Sequence, residues 1–359
     1  MTDPRTKGRP GAALVGLPDS GEVDVALNRS GRPIIRYRNR FLPPTEALDL
    51  IDPLVWTAWG PHGPNSATLP RPDWAVNMMA DAGHYTAALT WHDDWLGLSV
   101  PVFNHPRAIA QTRRDLSARR LAGVPGLETP ACLRFMSDGV ASFEAAFAQG
   151  GFRFPVLIRP CGAQGGEGQR RIDGPDGWVA AADSPWYRKP HFMTQFVETV
   201  TDGGLYLKAR VLLVGGQVFL RHVKADTRWQ VHHAGARHTK GFDELAVVER
   251  LEADATFMAL CTEIGRRTCL DFTGLDIGVD PERQRYVMFE CNPAMVVFFA
   301  PKPGESPDRL ARRARLQTPA SAAVTALLAA RDRWVCAQGD LARLPSVREA
   351  LREPPRLHA

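Results

Sequence analysis

Apolar positions in this chain come in short bursts, and the spacing within each burst predicts its element. "WAVNMM" and "VPVFN" are brief apolar runs that read as strands, while "GHYTAALTWHDDWLG" between them has helical spacing. "EVDVALNRSGRPIIRYR" reads as two short strands around the turn "NRSGR". Residues 61–73, "PHGPNSATLPRPD", carry four prolines and read as a loop. The alternation is that of a small α/β unit, assigned to residues 21–105 and closing near Pro106. Residues 1–20, rich in Pro, Gly and charge, are expected to be loosely ordered.

Beyond Pro106, "PRAIAQTRRDLSARRLAGV" predicts one helix, with Ile109, Leu116 and Leu121 as apolar positions and Gly123 as its stop. "VASFEAAFAQG" predicts a second helix ending at Gly150. "FPVLIRP" and "HFMTQFVET" read as strands, separated by the glycine-rich "CGAQGGEGQRR". "LYLKARVLLVGGQVFLRHV" is a hairpin turning at Gly215 and Gly216. "DATFMALCTEIGRRTCL" is a helix, and "FTGLDIGVD" and "RYVMFECN" are strands joined by the polar turn "PERQ". "SPDRLARRARL" and "ASAAVTALLAARDRWV" predict two C-terminal helices, and "REPPRLHA" a frayed end.

Composition narrows the class. The 359 residues suggest two or three structural units, and a hydrophobic share of 44% fits a substantial core. No apolar run is long enough to span a bilayer, and "MTDPRTKGRP" lacks the hydrophobic segment of a secretory signal. Six scattered cysteines without a C-x-x-C pair argue against a zinc ribbon or disulfide scaffold and fit a reducing cytoplasm. The net charge of +5 comes from clusters such as "TRRDLSARR" and "RLARRARLQ". Such clusters serve as solvated helix faces or attract phosphates and acidic substrates. No nucleic-acid motif and no heptad repeat accompanies them.

The polar residues inside apolar strands carry the candidate chemistry. In "FECNPAM", Glu290 and Asn292 are two apart and project from one strand face, while Cys291 points to the other and reads as core. Burying that pair without partners is costly. The preceding strand brings Asp276 beside them across the hairpin. Two carboxylates and an amide oxygen make a hard-oxygen set suited to Mg²⁺; the bland alternative is polar residues at a hairpin's open end. "IRPCGAQGGEGQRR" follows a strand ending in Arg159, and its glycines let main-chain N–H groups approach an anion. It matches neither the dinucleotide nor the P-loop glycine pattern and reads as a flap between strands.

Taken in order, these pieces resemble the ATP-grasp family of ATP-dependent carboxylate–amine or carboxylate–thiol ligases over Pro106 to Met295, about half the chain. "TRRDLSARRLAGVPGLETP" resembles the family's opening helix, with Arg114 at its basic, phosphate-contacting position. "FPVLIRPCGAQGGEG" resembles the second basic strand, with Arg159, and the phosphate-covering loop, with Gly165, Gly166 and Gly168. "TQFVE", with Gln195, Phe196, Val197 and Glu198, is similar to the hinge that reads adenine. Arg210 falls at the arginine near the phosphates, and Asp276, Glu290 and Asn292 at the metal ligands. Within the family, "PVFNHPRAIAQTRR", "RWQVHH" and "FECNPAMVVF", with His222 and His232, look most like modules often attached to tetratricopeptide-repeat proteins; no such repeat is present in this sequence. The chain departs from the common pattern in carrying Arg114 and Arg159 where lysines are usual. Lys208 stands where an acid usually contacts the ribose, with Glu198 a substitute.

The resemblance implies an α/β (α+β) ATP-grasp fold, two subdomains gripping ATP behind the small α/β domain. It puts the lid subdomain at 106–195, the metal-hairpin subdomain at 196–335 and a tail at 336–359. It implies ATP and Mg²⁺ as cofactors, and a carboxylate and an amine as substrates, small or peptidic. Activation passes the γ-phosphoryl to the carboxylate to form an acylphosphate, which the amine then attacks. Arg210, His222 and His232 are the expected catalytic residues, His222, His232 or His233 as a substrate contact or base; loop histidines without a role are the alternative. Trp229 is expected to shelve a substrate or pack the lid, and Asp81 with His84 to hold the carboxylate or amine partner. A kinase on the same fold and a non-catalytic nucleotide- or partner-binding protein are the competing readings. No nucleic-acid or membrane partner is expected, and a homodimer is the commonest default.

Overall fold

The computed structural model describes residues 11–21, 24–27, 30–36, 41, 43–58, 69–163, 166–183, 185–231, 239, 241–293, 304–331 and 340–352. β1 (Gly11–Gly16) lies inside a parallel sheet, between β4 (Ile51–Ala58) and β5 (Ala75–Asn77), with β6 (Val102–Phe103) beyond β5. β2 (Asp24–Leu27) and β3 (Pro33–Arg36) form a separate hairpin, as their turn predicts. All six residues of β1 are buried, which corrects the expectation of loose order from Gly11 onward. An inner parallel strand is covered on both faces, so it reads as a continuous run of small apolar residues without alternation. A Cβ on Gly11 would come within 2.6 Å of the Trp74 ring, so glycine is what lets that ring cover the strand.

The predicted helix from Pro106 is two helices, α2 (Pro106–Ala110) and α3 (Arg114–Leu121). Arg113 clasps Asp115 through two hydrogen bonds of 2.7 and 3.0 Å. Residues two apart do not face each other on a helix, so this clasp goes with the extended backbone of Arg113 that separates the two. β7 (Leu127–Glu128) then pairs with the large sheet described below. Residues 106–128 therefore join that sheet and its core through β7, while α3 also packs on the first strand of the lid, β8 (Cys132–Met136).

The lid is an antiparallel sheet in the order β10 (Arg170–Ile172), β9 (Val156–Pro160), β11 (Pro190–Gln195), β8. α4 (Val140–Gln149) and α5 (Gly177–Ala182) belong to it, and its core gathers Phe135, Phe143, Ile158, Trp178 and Met193. Its other face carries Arg134, Leu157, Arg159, Phe192 and Thr194, which line the cleft.

The large sheet runs β13 (Gln217–Asp226), β12 (Tyr206–Val214), β14 (Phe272–Asp280), β15 (Arg285–Asn292), β7. Alternation gives it two faces. Leu207, Ala209, Val211, Leu275 and Ile277 pack on Leu251 of α6 (Glu244–Ala253) and on Phe257 and Ile264 of α7 (Ala255–Thr268). On the opposite face, Leu212, Val214 and Phe272 pack with Trp74, Phe103 and α8 (Pro307–Ala330). That cover ends before Arg210, Lys208 and Asp276, which are left facing the lid. α8 is one helix where two were expected. Pro319 lies inside it, and the buried series Leu316, Ala320, Val324 and Leu328 at fourfold spacing runs on past the proline.

The C-terminal segment is docked as far as it is described. Leu341, Leu344, Val347 and Leu351 are buried in the main core around the short α9 (Val347–Ala350). The Val347 N–H donates to Asp93 at 3.0 Å, and Arg348 pairs with Asp94 at 2.6 Å on α1 (Thr86–Leu96). Most of "REPPRLHA" lies outside the described residues. No helix among the described residues is long and apolar enough to cross a membrane.

Candidate functional site

Four strands of the large sheet place one residue each in a single row. His222 stands opposite Arg210, Arg210 opposite Asp276, and Asp276 opposite Glu290. Two register shifts fall beside this row, after Arg210 and after Asp276, leaving Arg221 and Phe289 as extra residues. Bulges of this kind re-aim side chains next to sites. Cys291 is buried on the other face, its Sγ 3.4 Å from the Thr273 hydroxyl, as its position in the strand predicts.

The row is electrostatically closed. Arg210 Nη1 donates to Asp276 Oδ1 at 2.6 Å and Lys208 Nζ to Oδ2 at 3.3 Å. Burial alone would raise the Asp276 carboxyl; Arg210 and Lys208 outweigh it and hold the carboxyl well below its ordinary value. Arg114, from the first turn of α3, pairs with Glu290 Oε2 at 3.0 Å and donates to the Phe289 carbonyl at 3.0 Å. Burial opposes charge on Arg114, and Glu290 more than restores it. Arg221 and Lys224 flank the row, and burial lowers them to about 10 and about 8, helped by Arg210 and Lys208 respectively. Asp276 is a counter-charge to both.

Two glycines make room for this arrangement. Gly274 and Gly278 share a strand face with Asp276. A Cβ on Gly274 would sit 3.1 Å from the Arg210 guanidinium, and one on Gly278 would sit 2.5 Å from the Phe289 ring. "GLDIG" is thus a carboxylate between two openings, one filled by an arginine and one by an aromatic ring.

The lid supplies the opposite wall. Arg159 and Arg134 both lie opposite Phe192, on β9 and β8. Burial, then Arg114, lowers Arg159 to about 10, and its guanidinium donates to the Ala163 carbonyl at the base of the glycine loop. Gly162, Gly166 and Gly168 have positive φ, while Gly165 lies outside the described residues. A Cβ on Gly162 would come within 3.1 Å of His84, so the loop's base abuts the N-terminal unit.

The cleft between lid and large sheet has two parts. One is largely apolar, lined by Leu157, Phe196, Val197, Trp229, Met288 and Phe289, with Lys208 and Asp276 at its floor. Phe196 and Trp229 meet edge to face at 6.0 Å, and Arg171 lies over Phe196 at 4.4 Å. The far part is lined by Asp81, Gly83, Arg134, Cys161, Gly162 and Asn292. Arg114, Arg159, Phe192 and Glu290 line both.

Most of the residues chosen from sequence therefore converge. Gln195 lines the apolar part, but its side chain braces the Arg153 and Pro155 carbonyls at 2.9 and 3.1 Å. Glu198 is exposed and accepts from the Thr199 N–H at 3.1 Å; Tyr206 and Lys208 line the cleft. His222 is lowered to about 2 by burial, then by Lys224 and Arg221, so its imidazole is neutral and weakly basic. His232 and His233 lie outside the described residues. Asp81 and His84 pair at 3.5 Å; burial would raise Asp81, but the His84 hydrogen bond lowers it. Arg134, Arg221, Lys224, Met288 and Phe289 escaped the sequence reading. Alternation in "CLRFM" is the signal that would have found Arg134.

A parallel N-terminal sheet, an antiparallel lid and a large, mostly antiparallel sheet with a cleft between the last two constitute the ATP-grasp fold. The D-Ala:D-Ser ligase VanG of Enterococcus faecalis is similar in structure, with a TM-score of 0.51, 11% identity, and 90% of this chain and 100% of that one covered. The RimK-domain ATP-grasp protein of Sphaerobacter thermophilus gives 0.48, 14%, 89% and 99%. The ATP-grasp ligase PsnB, solved with a minimal precursor, Mg and ADP, gives 0.43, 14%, 91% and 99%. At these identities the likeness is one of fold. No family model and no curated protein matches the sequence.

Among the described residues no group of three or more His, Cys, Asp and Glu could hold a metal. The predicted set has two carboxylates and one amide. A carboxylate accepts about four hydrogen bonds or ligand contacts, so Asp276 retains capacity beside Arg210 and Lys208. Glu290 engages Arg114 through Oε2. Hard oxygens opposed across two strands fit a magnesium ion that takes its other ligands from phosphate and water.

Proposed function

We propose that this chain is an ATP- and Mg²⁺-dependent ligase that activates a substrate carboxylate and joins it to an amine. The observation that carries the reading is the row Arg210–Asp276–Glu290 facing Arg114 and Arg159 at the mouth of an apolar, aromatic-lined cleft. The cleft suits a purine, and the charged row suits a polyphosphate. Asp276, Glu290 and Asn292 would hold Mg²⁺, whose contribution is to neutralise charge on the β- and γ-phosphates.

The chain's own residues orient and neutralise. Arg114 and Arg159, at the join of the two parts, hold the phosphates in line with the acceptor in the far part. A carboxylate oxygen bonds to the γ-phosphorus as the bond to the ADP oxygen breaks, and ADP leaves with that electron pair. The amine nitrogen then bonds to the acyl carbon, inorganic phosphate leaves, and the amine gives up a proton. Gly162 and Ala163 line the far part of the cleft, and the glycine loop they open would exclude water, which would hydrolyse the acylphosphate. His222, neutral and weakly basic, acts as a hydrogen-bonding contact. The kinship with tetratricopeptide-associated modules rests on its three sequence stretches.

Calorimetric titration of ATP, with and without Mg²⁺, tests the reading on wild type and on Glu290→Gln with Asn292→Ala. Magnesium-dependent binding in wild type that the variant loses is the expected result. Hydroxylamine in place of the amine should yield a hydroxamate with ADP when the right carboxylate is present. Equal binding by the variant would remove the metal assignment.

A further inference from the structure

Both carboxylates proposed for magnesium are engaged by cations. Arg210 Nη1 and Lys208 Nζ take the two oxygens of Asp276 at 2.6 and 3.3 Å. Arg114 Nη2 pairs with Glu290 Oε2 at 3.0 Å, and its Nη1 donates to the Phe289 carbonyl at 3.0 Å. Phe289 is the extra residue of the bulge in β15, and such a residue leaves the ladder, so its carbonyl is open to a side-chain donor. One arginine fork thus spans a carbonyl and the next residue's carboxylate. A lysine, by resemblance the usual residue here, is a point charge without that planar fork.

Charge decides what such a row admits. Arg114, Lys208 and Arg210 set three cations against the carboxylates of Asp276 and Glu290. Across the cleft Arg159 adds a cation, and Asp81, paired with His84, adds a carboxylate. Mg²⁺ alone would enter a row that is already positive. It would also have to draw a carboxylate from its arginine and leave that arginine facing the metal. A polyphosphate removes both obstacles, because it brings negative charge and accepts from the displaced arginine while the carboxylate turns to the metal. Arg114 is placed to make this exchange. It lines both parts of the cleft, as does Glu290. Its pair, with side chains 23% and 30% exposed, is more open to water than Arg210 with Asp276, at 13% and 16%, so it parts at lower cost.

Resting on the ATP and Mg²⁺ reading, we propose that this site takes up magnesium only together with a polyphosphate, because Arg114 holds Glu290 until phosphate draws it off. Arg114 is then a gate for the metal as well as a phosphate ligand. By linkage, metal and polyphosphate each strengthen the binding of the other.

Electron paramagnetic resonance of Mn²⁺ reads the metal, and calorimetry reads the nucleotide. Without nucleotide, wild type should leave Mn²⁺ free at about 1 mM. Arg114→Gln should bind Mn²⁺ alone about tenfold more tightly than wild type, and MgATP about tenfold more weakly. Glu290→Gln, which releases Arg114, should bind ATP in EDTA several-fold more tightly than wild type, yet MgATP more weakly. Arg114→Lys should restore most of the MgATP affinity. A gain for one ligand beside a loss for the other is not what a damaged fold produces. Mn²⁺ binding by wild type without nucleotide overturns the proposal, and that measurement needs no variant. An Mn²⁺ affinity in Arg114→Gln no higher than in wild type overturns it too, as does an equal affinity of Glu290→Gln and wild type for metal-free ATP. If wild type binds MgATP and also binds Mn²⁺ alone, the proposal falls and the ligase reading stands. If wild type binds ATP neither with Mg²⁺ nor without it, the ligase reading falls first and takes the proposal with it.

Discussion

Gly278 shapes the nucleotide side of the cleft by lacking a side chain. Phe289 occupies the space a Cβ would need, and the residue is 37% exposed, so its ring can swing outward at little cost. Gly278→Ala is expected to unfold within about 1 kcal/mol of wild type yet bind MgATP several-fold more weakly. Thermal unfolding and titration on one sample check this; unchanged affinity would show that the ring is no part of the binding wall. Asp276 is a different case. Removing its charge leaves Arg210 and Lys208 facing each other with their shared carboxylate gone, at a cost of about 3–5 kcal/mol for breaking a buried pair. That is why Glu290, which is more exposed, is the better probe of metal binding. Glu290 and Asn292 were legible because period two is rigid in a strand. Arg134 lies on a strand of only five residues, whose brief alternation is an easily missed signal.

At the scale of elements, the C-terminal segment matters more than its composition suggests. Leu344 is 4% exposed within the main core, so Leu344→Ala is expected to destabilise by about 2–4 kcal/mol in chemical denaturation. A loss below about half a kcal/mol would mean that the segment is not docked in solution. α1 carries a second testable feature. His92 is fully buried beside Trp91 and Trp95, with Nε2 3.0 Å from the Val15 carbonyl, and burial lowers its pKa to about 4. The unfolded chain takes up that proton near pH 6.5, whereas the folded one does so near 4. Stability is therefore full above pH 6.5 and falls as pH drops towards 4, by roughly 3 kcal/mol in all. Denaturation followed by tryptophan fluorescence from pH 7.5 to 4.5 should show that slope, and His92→Phe should flatten it.

Across the whole molecule, two sheets bring arginines from distant stretches of chain to one mouth. Arg114, Arg159, Arg210 and Arg221 come from α3, the lid and the large sheet, and they face Asp276 and Glu290. A cleft lined by one sign of charge focuses its field, and salt screens it. Raising NaCl from about 0.05 to 0.5 M is expected to weaken MgATP binding several-fold. Salt-independent binding would mean that the aromatic wall alone holds the nucleotide.

The sequence by itself determined the hairpins, the carboxylates on one strand face, the glycine loop and their order, because period two, turn residues and capping are local. Tertiary structure decided the rest. β1 is buried because α1 packs on one of its faces and Phe41 and Trp74 on the other, α3 is set off by a clasp between Arg113 and Asp115, and the exposed Glu198 bonds Tyr206, which lines the cleft with Lys208. Which cations meet Asp276 depends on strand register and on two bulges. These are contacts between residues far apart in the chain, and no local period encodes them.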